Sequence, residues 1–107
     1  MKITVLHGSP RRGKNSDTLA ERFLDGLNTS GKHVVEHFYI NELPIAPCQG
    51  CLSCAKPPHN CKIQDDMQAI YKAYRGSDLI VWASPIYWGY LTAQLKIVQN
   101  RMASLMS

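Results

Sequence analysis

Apolar and polar positions follow two different periods along the chain, and each change of period marks an element. Lys2-Ile3-Thr4-Val5-Leu6-His7 is a short apolar run led by β-branched residues, which predicts a buried strand. It breaks into Gly8-Ser9-Pro10-Arg11-Arg12-Gly13-Lys14-Asn15-Ser16. A helical pattern starts at Asp17, with Leu19, Phe23, Leu24 and Leu27 as the apolar stripe expected to face the core. Asn15, Ser16 or Asp17 can cap that helix, and Gly26 or Gly31 can end it. His33–Ile40 reads as a second strand bounded by Asn41 and Pro44. Strand, helix and strand within residues 2–40 predict a βαβ unit with parallel strands and a right-handed crossover.

From Asn41 to Gln64 the pattern is irregular and holds Pro44, Pro47, Pro57 and Pro58, and a loop of this length is usually functional. Asp65 and Asp66 then cap a helix with Met67, Ile70, Tyr71 and Tyr74 on one face and Gly76 as its stop. Asp78–Ala83 is near-continuously apolar, as a central parallel strand is. After a loop from Ser84 to Tyr90, Thr92 caps a last helix whose Leu91, Leu95, Val98, Met102 and Leu105 form either core or an oligomer seam, with core preferred. The sum is an α/β fold of three parallel strands and three helices in a single domain, residues 1–107. Its sheet stops after the third strand and its helix, so the sequence reads as the N-terminal portion of a longer domain. A bare sheet edge is a liability, so a homo-oligomer is expected.

Composition adds little to this picture and excludes some alternatives. With 45% hydrophobic and 19% charged residues, the chain is ordinary globular material. No apolar run approaches the roughly 18 residues of a membrane span, and the N-terminus does not read as a secretory signal. A cytoplasmic protein with no membrane partner is the expectation. The net charge of +4 comes from scattered Lys and Arg, which suits an anionic ligand and does not make a nucleic-acid surface.

The first loop carries chemistry. A strand, a polar and basic loop, then a helix N-terminus is a ready phosphate site, because amides, helix dipole and cations point the same way. Gly8-x-x-x-x-Gly13-Lys14 matches most of a P-loop, yet Asn15 stands where the Mg²⁺-binding hydroxyl belongs, and Pro10 removes an amide. A flavin mononucleotide phosphate needs no metal, and Ser9, Asn15 and Ser16 offer the hydroxyls and amides it requires. Ligands of open parallel sheets bind beyond the C-terminal strand ends, where the loop Ser84-Pro85-Ile86-Tyr87-Trp88-Gly89-Tyr90 also emerges. Its aromatics suit a flat ring system, and packing within the fold is the equally weighted alternative.

All four cysteines lie in the irregular segment. Cys48-x-x-Cys51-x-x-Cys54 followed by Cys61 lets one loop wrap a cubane, as ferredoxin runs do. Zinc, which usually joins two separate knuckles, fits poorly. Reduced free thiols are the bland alternative, and the neighbouring His59 reads as solvated more readily than as a ligand. His7, His33 and His37 lie on strands, where satisfied packing is expected. No acid–base pair or nucleophile–His arrangement is placed by motif.

Gly8-Ser9-Pro10-Arg11 with Asn15-Ser16, joined to Ser84-Pro85-Ile86-Tyr87-Trp88-Gly89 and Ala93-Gln94-Leu95-Lys96, resembles the NAD(P)H-dependent FMN reductase family, and within it the iron–sulfur flavoproteins. The resemblance runs over essentially the whole chain. It implies a flavodoxin-like three-layer fold, with Ser9, Arg11, Asn15 and Ser16 on the FMN phosphate and Pro85, Ile86, Tyr87, Trp88 and Gly89 along the isoalloxazine. It also implies Cys48, Cys51, Cys54 and Cys61 as [4Fe–4S] ligands, and two further strands in relatives, one bearing a third FMN loop. The function it implies is transfer of electrons from NAD(P)H through FMN to a quinone-like, metal or protein acceptor. A flavin-free interaction module is the competing class.

Overall fold

Ile3 to His7 are all buried, which places β1 (Lys2–His7) at the centre of the sheet. A computed structural model of the chain describes residues 1–105. In it β2 (Val34–Tyr39) and β3 (Leu79–Ala83) flank β1, both parallel to it, in the order β2-β1-β3. That order is the first part of the flavodoxin-like doubly wound sheet, the α/β class expected from the sequence.

The alternation of β1 splits the core in two, because successive side chains face opposite sides of a strand. Ile3 and Val5 pack with Ala20 and Leu24 of α1 (Asn15–Asn28). Leu6 packs on the other face with Phe38, with Met67, Ile70 and Tyr71 of α2 (Met67–Gly76), and with Leu95 and Val98 of α3 (Ala93–Arg101). Helices on both faces complete three layers. Leu91, Met102 and Leu105 pack against the second cluster, so the last apolar stripe is core. Among the described residues no helix is long and apolar enough to cross a membrane.

The α1 stripe is a correction. Leu19 is 71% and Phe23 46% exposed, while Ser16, Asp17, Ala20 and Leu24 face the sheet. The phase of the helix is set by Asp17, whose carboxylate is tied to His7 and to the Gly13 amide, and that tie rotates Leu19 and Phe23 outward. The helix also starts at Asn15 rather than Asp17, and no side chain caps its Lys14 N-cap. Its far end is closed by hydroxyls: Thr29 Oγ1 and Ser30 Oγ donate to the Gly26 and Leu27 carbonyls, each at 2.7 Å. His33 lies just outside β2 and approaches the Leu27 carbonyl through Nε2.

Thr92 does cap α3, accepting the Leu95 N–H on its hydroxyl. The same hydroxyl donates to the Gly8 carbonyl at 2.7 Å, bringing the end of β1 against the helix. The approach is so close that a Cβ at position 8 would overlap the Leu95 side chain. Gly8 is therefore required for space. Leu95 is fully buried and has no room to retreat. Gly8→Ala is expected to destabilise the fold by about 1–3 kcal/mol through overpacking, read as a lower urea midpoint with an unchanged m-value.

Candidate functional site

Both candidate loops, after β1 and after β3, leave adjacent strands at their C-terminal ends and share one root. The Gly8 N–H donates to the Ala83 carbonyl at 2.8 Å. The Thr92 N–H donates to Ser84 Oγ at 3.1 Å, while its hydroxyl holds Gly8. Helix α3 thus begins where the loop after β1 and the loop after β3 meet.

In the first loop Ser9 Oγ accepts the Arg11 N–H at 3.0 Å, which turns the chain tightly. Gly13 adopts φ +79°, a left-handed conformation suited to glycine. Its N–H is taken by Asp17 Oδ2 at 2.7 Å, withdrawing another amide, besides that of Pro10, from any triphosphate cradle. Among the described residues the amides of Arg12, Lys14, Asn15 and Ser16 have no hydrogen-bond partner. Arg11 and Asn15 are exposed, Ser9 is half-buried and Ser16 is buried. Arg12 turns away from this group: its guanidinium lies 3.8 Å from the Tyr39 ring centre and pairs with Glu42 at 3.1 Å.

Beneath the loop lies a chain of titratable groups. The buried His7 contacts Asp17 Oδ1 through Nδ1 at 2.9 Å and His37 Nδ1 through Nε2 at 2.8 Å. The two contacts join Asp17, His7 and His37 in one hydrogen-bonded row. Tyr39 stacks on His7 with ring centres 4.3 Å apart. Burial, and then the neighbouring His7, hold the His37 pKa below its ordinary value against the opposing pull of Glu21 and Asp17.

The second loop folds back on itself. Tyr87 and Tyr90 exchange both backbone hydrogen bonds, at 2.9 and 3.1 Å. The two residues between them, Trp88 and Gly89, have φ of +51° and +72°, the signature of a type I′ turn. Left-handed backbone costs a residue with a side chain about 1–2 kcal/mol, and Trp88 is fully exposed. Ile86 and Tyr87 are exposed as well, and Pro85 is half-buried. Of the aromatics, only Tyr90 finds partners on α3, with its hydroxyl on Gln99 and Lys96 over its ring. The loop therefore presents apolar rings outward instead of packing them.

Cys48, Cys51, Cys54 and Cys61 are all reduced and line one cavity of about 30 Å³ together with Arg101 and Ser104. Among the described residues no three His, Cys, Asp or Glu side chains are gathered closely enough to hold a single metal ion. Four thiols spread around one cavity are a donor set suited to a cluster. The Ser53 hydroxyl, 3.3 Å from Cys51 Sγ, and then the Ser53 backbone and Lys62 hold the exposed Cys51 thiol below its ordinary pKa and favour the thiolate that binds metal. His59 faces the backbone, its Nδ1 2.9 Å from the Cys54 carbonyl.

The cysteine loop is anchored from below by a buried ion pair. Arg101 makes a two-pronged contact with Asp65, at 2.8 and 3.0 Å, and donates to the Ala46 and Ile63 carbonyls at the two ends of the loop. Burial pushes the Asp65 carboxyl up, and hydrogen bonds from Arg101 and from the Ala46 and Met67 amides outweigh it, leaving the pKa below the ordinary value.

Comparison with known proteins decides which family this architecture represents. The model of the family described as NADPH-dependent FMN reductase matches residues 1–105. The chain belongs to the NADPH-dependent FMN reductase family. It is 38% identical over 105 residues to the iron-sulfur flavoprotein of Methanosarcina thermophila, covering 98% of this chain and 54% of that protein. Over 101 residues it is 33% identical to YwqN of Bacillus subtilis, provisionally named an NAD(P)H-dependent FMN-containing oxidoreductase, covering 94% of this chain and 51% of that protein. The chain thus spans about half the length of these curated relatives. The crystal structure of RosB with a bound intermediate, 8-demethyl-8-formylriboflavin-5′-phosphate, superposes on 96% of this chain and 42% of its own, with a TM-score of 0.72 at 15% identity, which establishes likeness of fold.

Within this FMN reductase fold, His7, Asp17, His37 and Arg101 are the residues that motif reading misses. A signal exists for the histidines: His7 continues the face of Ile3 and Val5, and His37 occupies the matching phase of β2, opposite Val5. Arg101 offers none, because its partners lie 36 and more residues away.

Two outcomes follow for stability. Because His37 binds its proton more weakly folded than unfolded, the unfolded state holds more protons below pH 6.5, and stability falls as pH drops into that range. His37→Asn, which keeps a hydrogen-bonding side chain for His7, is expected to flatten this slope relative to the parent chain in urea midpoints taken from pH 5 to pH 8. Asp65→Ala leaves the Arg101 charge buried and uncompensated, and is expected to cost about 3–5 kcal/mol, measured by the same unfolding assay.

Proposed function

We propose that the chain binds FMN across its two joined loops and serves an NAD(P)H-dependent oxidoreductase or flavin-based electron carrier, with a [4Fe–4S] cluster on the four cysteines. One observation carries this: an amide-rich polar loop and a loop presenting unpacked aromatic rings are fastened side by side at Gly8, Ser84 and Thr92. Ser9, Asn15, Ser16 and the free amides from Lys14 to Ser16 would hold the terminal phosphate, with Arg11 supplying charge. The Pro85–Gly89 backbone and the Tyr87 and Trp88 rings would lie along the isoalloxazine. When bound, FMN accepts a hydride from NAD(P)H and passes the electrons onward. The chain's own part is to bind, orient and shield that ring.

The names carried by the relatives from Methanosarcina thermophila and Bacillus subtilis support both cofactors. Four thiols lining one cavity, with Cys51 biased toward thiolate, support the cluster. A quinone-like compound, a metal or a protein would take the electrons.

Protein purified without air is expected to show two visible flavin bands over a broad brown shoulder; a colourless protein that takes up neither FMN nor iron would overturn the proposal. Replacing both Ser9 and Asn15 by Ala is expected to weaken FMN binding at least about tenfold, as loss of phosphate hydrogen bonds does, while the far-UV circular dichroism stays that of the parent. An unchanged dissociation constant would remove the phosphate assignment.

A further inference from the structure

The Arg101 guanidinium has one donor that the fold leaves without an acceptor. Its Nη1 donates to Ala46 and Asp65, and its Nη2 to Ile63 and Asp65. Nε is buried and has no partner among the described residues. Ser104 Oγ is buried and likewise without a partner among the described residues, and the Tyr71 hydroxyl beside both side chains donates its own proton to the Arg101 carbonyl. Arg101 is 2% exposed and Ser104 5%. Both residues line the cavity that Cys48, Cys51, Cys54 and Cys61 surround. Buried donors are nearly always satisfied, and an orphan points to an acceptor that protein atoms do not provide.

We propose that Arg101 Nε–H and Ser104 Oγ–H are hydrogen-bond donors to the sulfur atoms of a cluster held by the four cysteines, and that they raise its reduction potential. The inference rests on the cluster reading above and adds to it the residues that set the potential. Hydrogen bonds to cluster sulfur are among the factors that fix iron–sulfur potentials. Reduction adds one electron and one negative charge to the cluster, and a donor aimed at sulfur stabilises the more negative state more strongly. The electron comes from reduced flavin in the proposed function, and from dithionite in a titration. Asp65 takes both terminal nitrogens of the guanidinium, so Nε–H is the donor left over for a ligand in the cavity that Arg101 lines. Arginine does not lose its proton in proteins, so its contribution is constant with pH. Arg101 is a positioning residue here, acting on the cluster without exchanging electrons.

The test uses the chain reconstituted anaerobically with ferrous iron and sulfide, with both assayed in every sample. Arg101→Lys keeps a charge for Asp65 and lacks Nε–H. In dithionite titrations followed by EPR, its one-electron reduction constant is expected to fall about tenfold, or about 59 mV, equally at pH 7 and pH 9. Ser104→Ala is expected to shift it the same way by less. Parent protein labelled with ¹⁵N-arginine is expected to show hyperfine coupling between the reduced cluster and an arginine nitrogen, and this measurement decides the matter should Arg101→Lys fail to fold. A loaded cluster without that coupling, or with a potential unmoved in Arg101→Lys, overturns the proposal and leaves the cluster reading intact. Parent protein that retains no iron and sulfide overturns the cluster reading itself, and the proposal with it.

Discussion

The hydrogen bond from Thr92 to the Gly8 carbonyl is the constraint on which the rest of this end of the molecule depends. It joins the C-terminal end of the central strand to the N-cap of α3, across 84 positions of sequence. Both partners are held to their identities. Position 8 has no space for a Cβ beside Leu95. Position 92 must donate to Gly8 while accepting from the Leu95 amide. With Ser84 bonded to the Thr92 amide, the loops after β1 and β3 begin from one fixed point. Loops are ordinarily the mobile part of a fold, and a rigid root is what lets two of them act as a single site.

The same helix is anchored at its other end. Arg101 closes α3 and reaches the backbone on both sides of the cysteine loop, at Ala46 and Ile63. Thr92 and Arg101 lie nine positions apart, which at helical rise is about 14 Å. A helix of this length with fully buried Leu95 and Val98 is a stiff spacer. It sets the loops after β1 and β3 at a fixed distance from the four thiols. A buried ion pair is poor evidence of net stability, since desolvating both charges offsets their attraction. Its effect here is geometric: the carbonyls at the two ends of an irregular, proline-rich loop need fixed donors, and the guanidinium supplies one to each.

Much of this was legible in the sequence, for identifiable reasons. Strand and helix positions follow from period, which depends only on neighbours; the strand boundaries fall within one residue of those expected, while the last helix ends at Arg101 and gives way to a 3-10 turn over Met102–Leu105. The last helix read correctly as core because Leu95 and Val98 recur at helical spacing and Thr92 is a good cap. The first helix misled because Leu19 and Phe23 satisfy the same spacing while its rotation is set by Asp17, through bonds to His7 and Gly13 that no local pattern announces. The ligand loops were legible as compositions, but the outward presentation of Trp88 required the two positive φ angles of its turn. The strand phase of His7 and His37 is visible in the sequence, but their meeting depends on the register of β1 with β2 and the Arg101 anchor on long-range contacts, which spacing cannot encode.

Asp17 also settles how the first loop must handle an anion. A buried carboxylate in the first turn of α1 already draws on the positive end of the helix dipole and holds one amide of the loop. A phosphate at the same terminus would lie near this carboxylate, whose other oxygen is bonded to the buried His7. Arg12 does not help, since Tyr39 and Glu42 hold it against β2. The attraction left for an anion comes from Arg11, Lys14 and the free amides of Lys14 to Ser16. Under the proposed function that set would serve one terminal phosphate, whereas a triphosphate with its metal calls for the amides that Pro10 and Gly13 do not offer and the hydroxyl that Asn15 replaces.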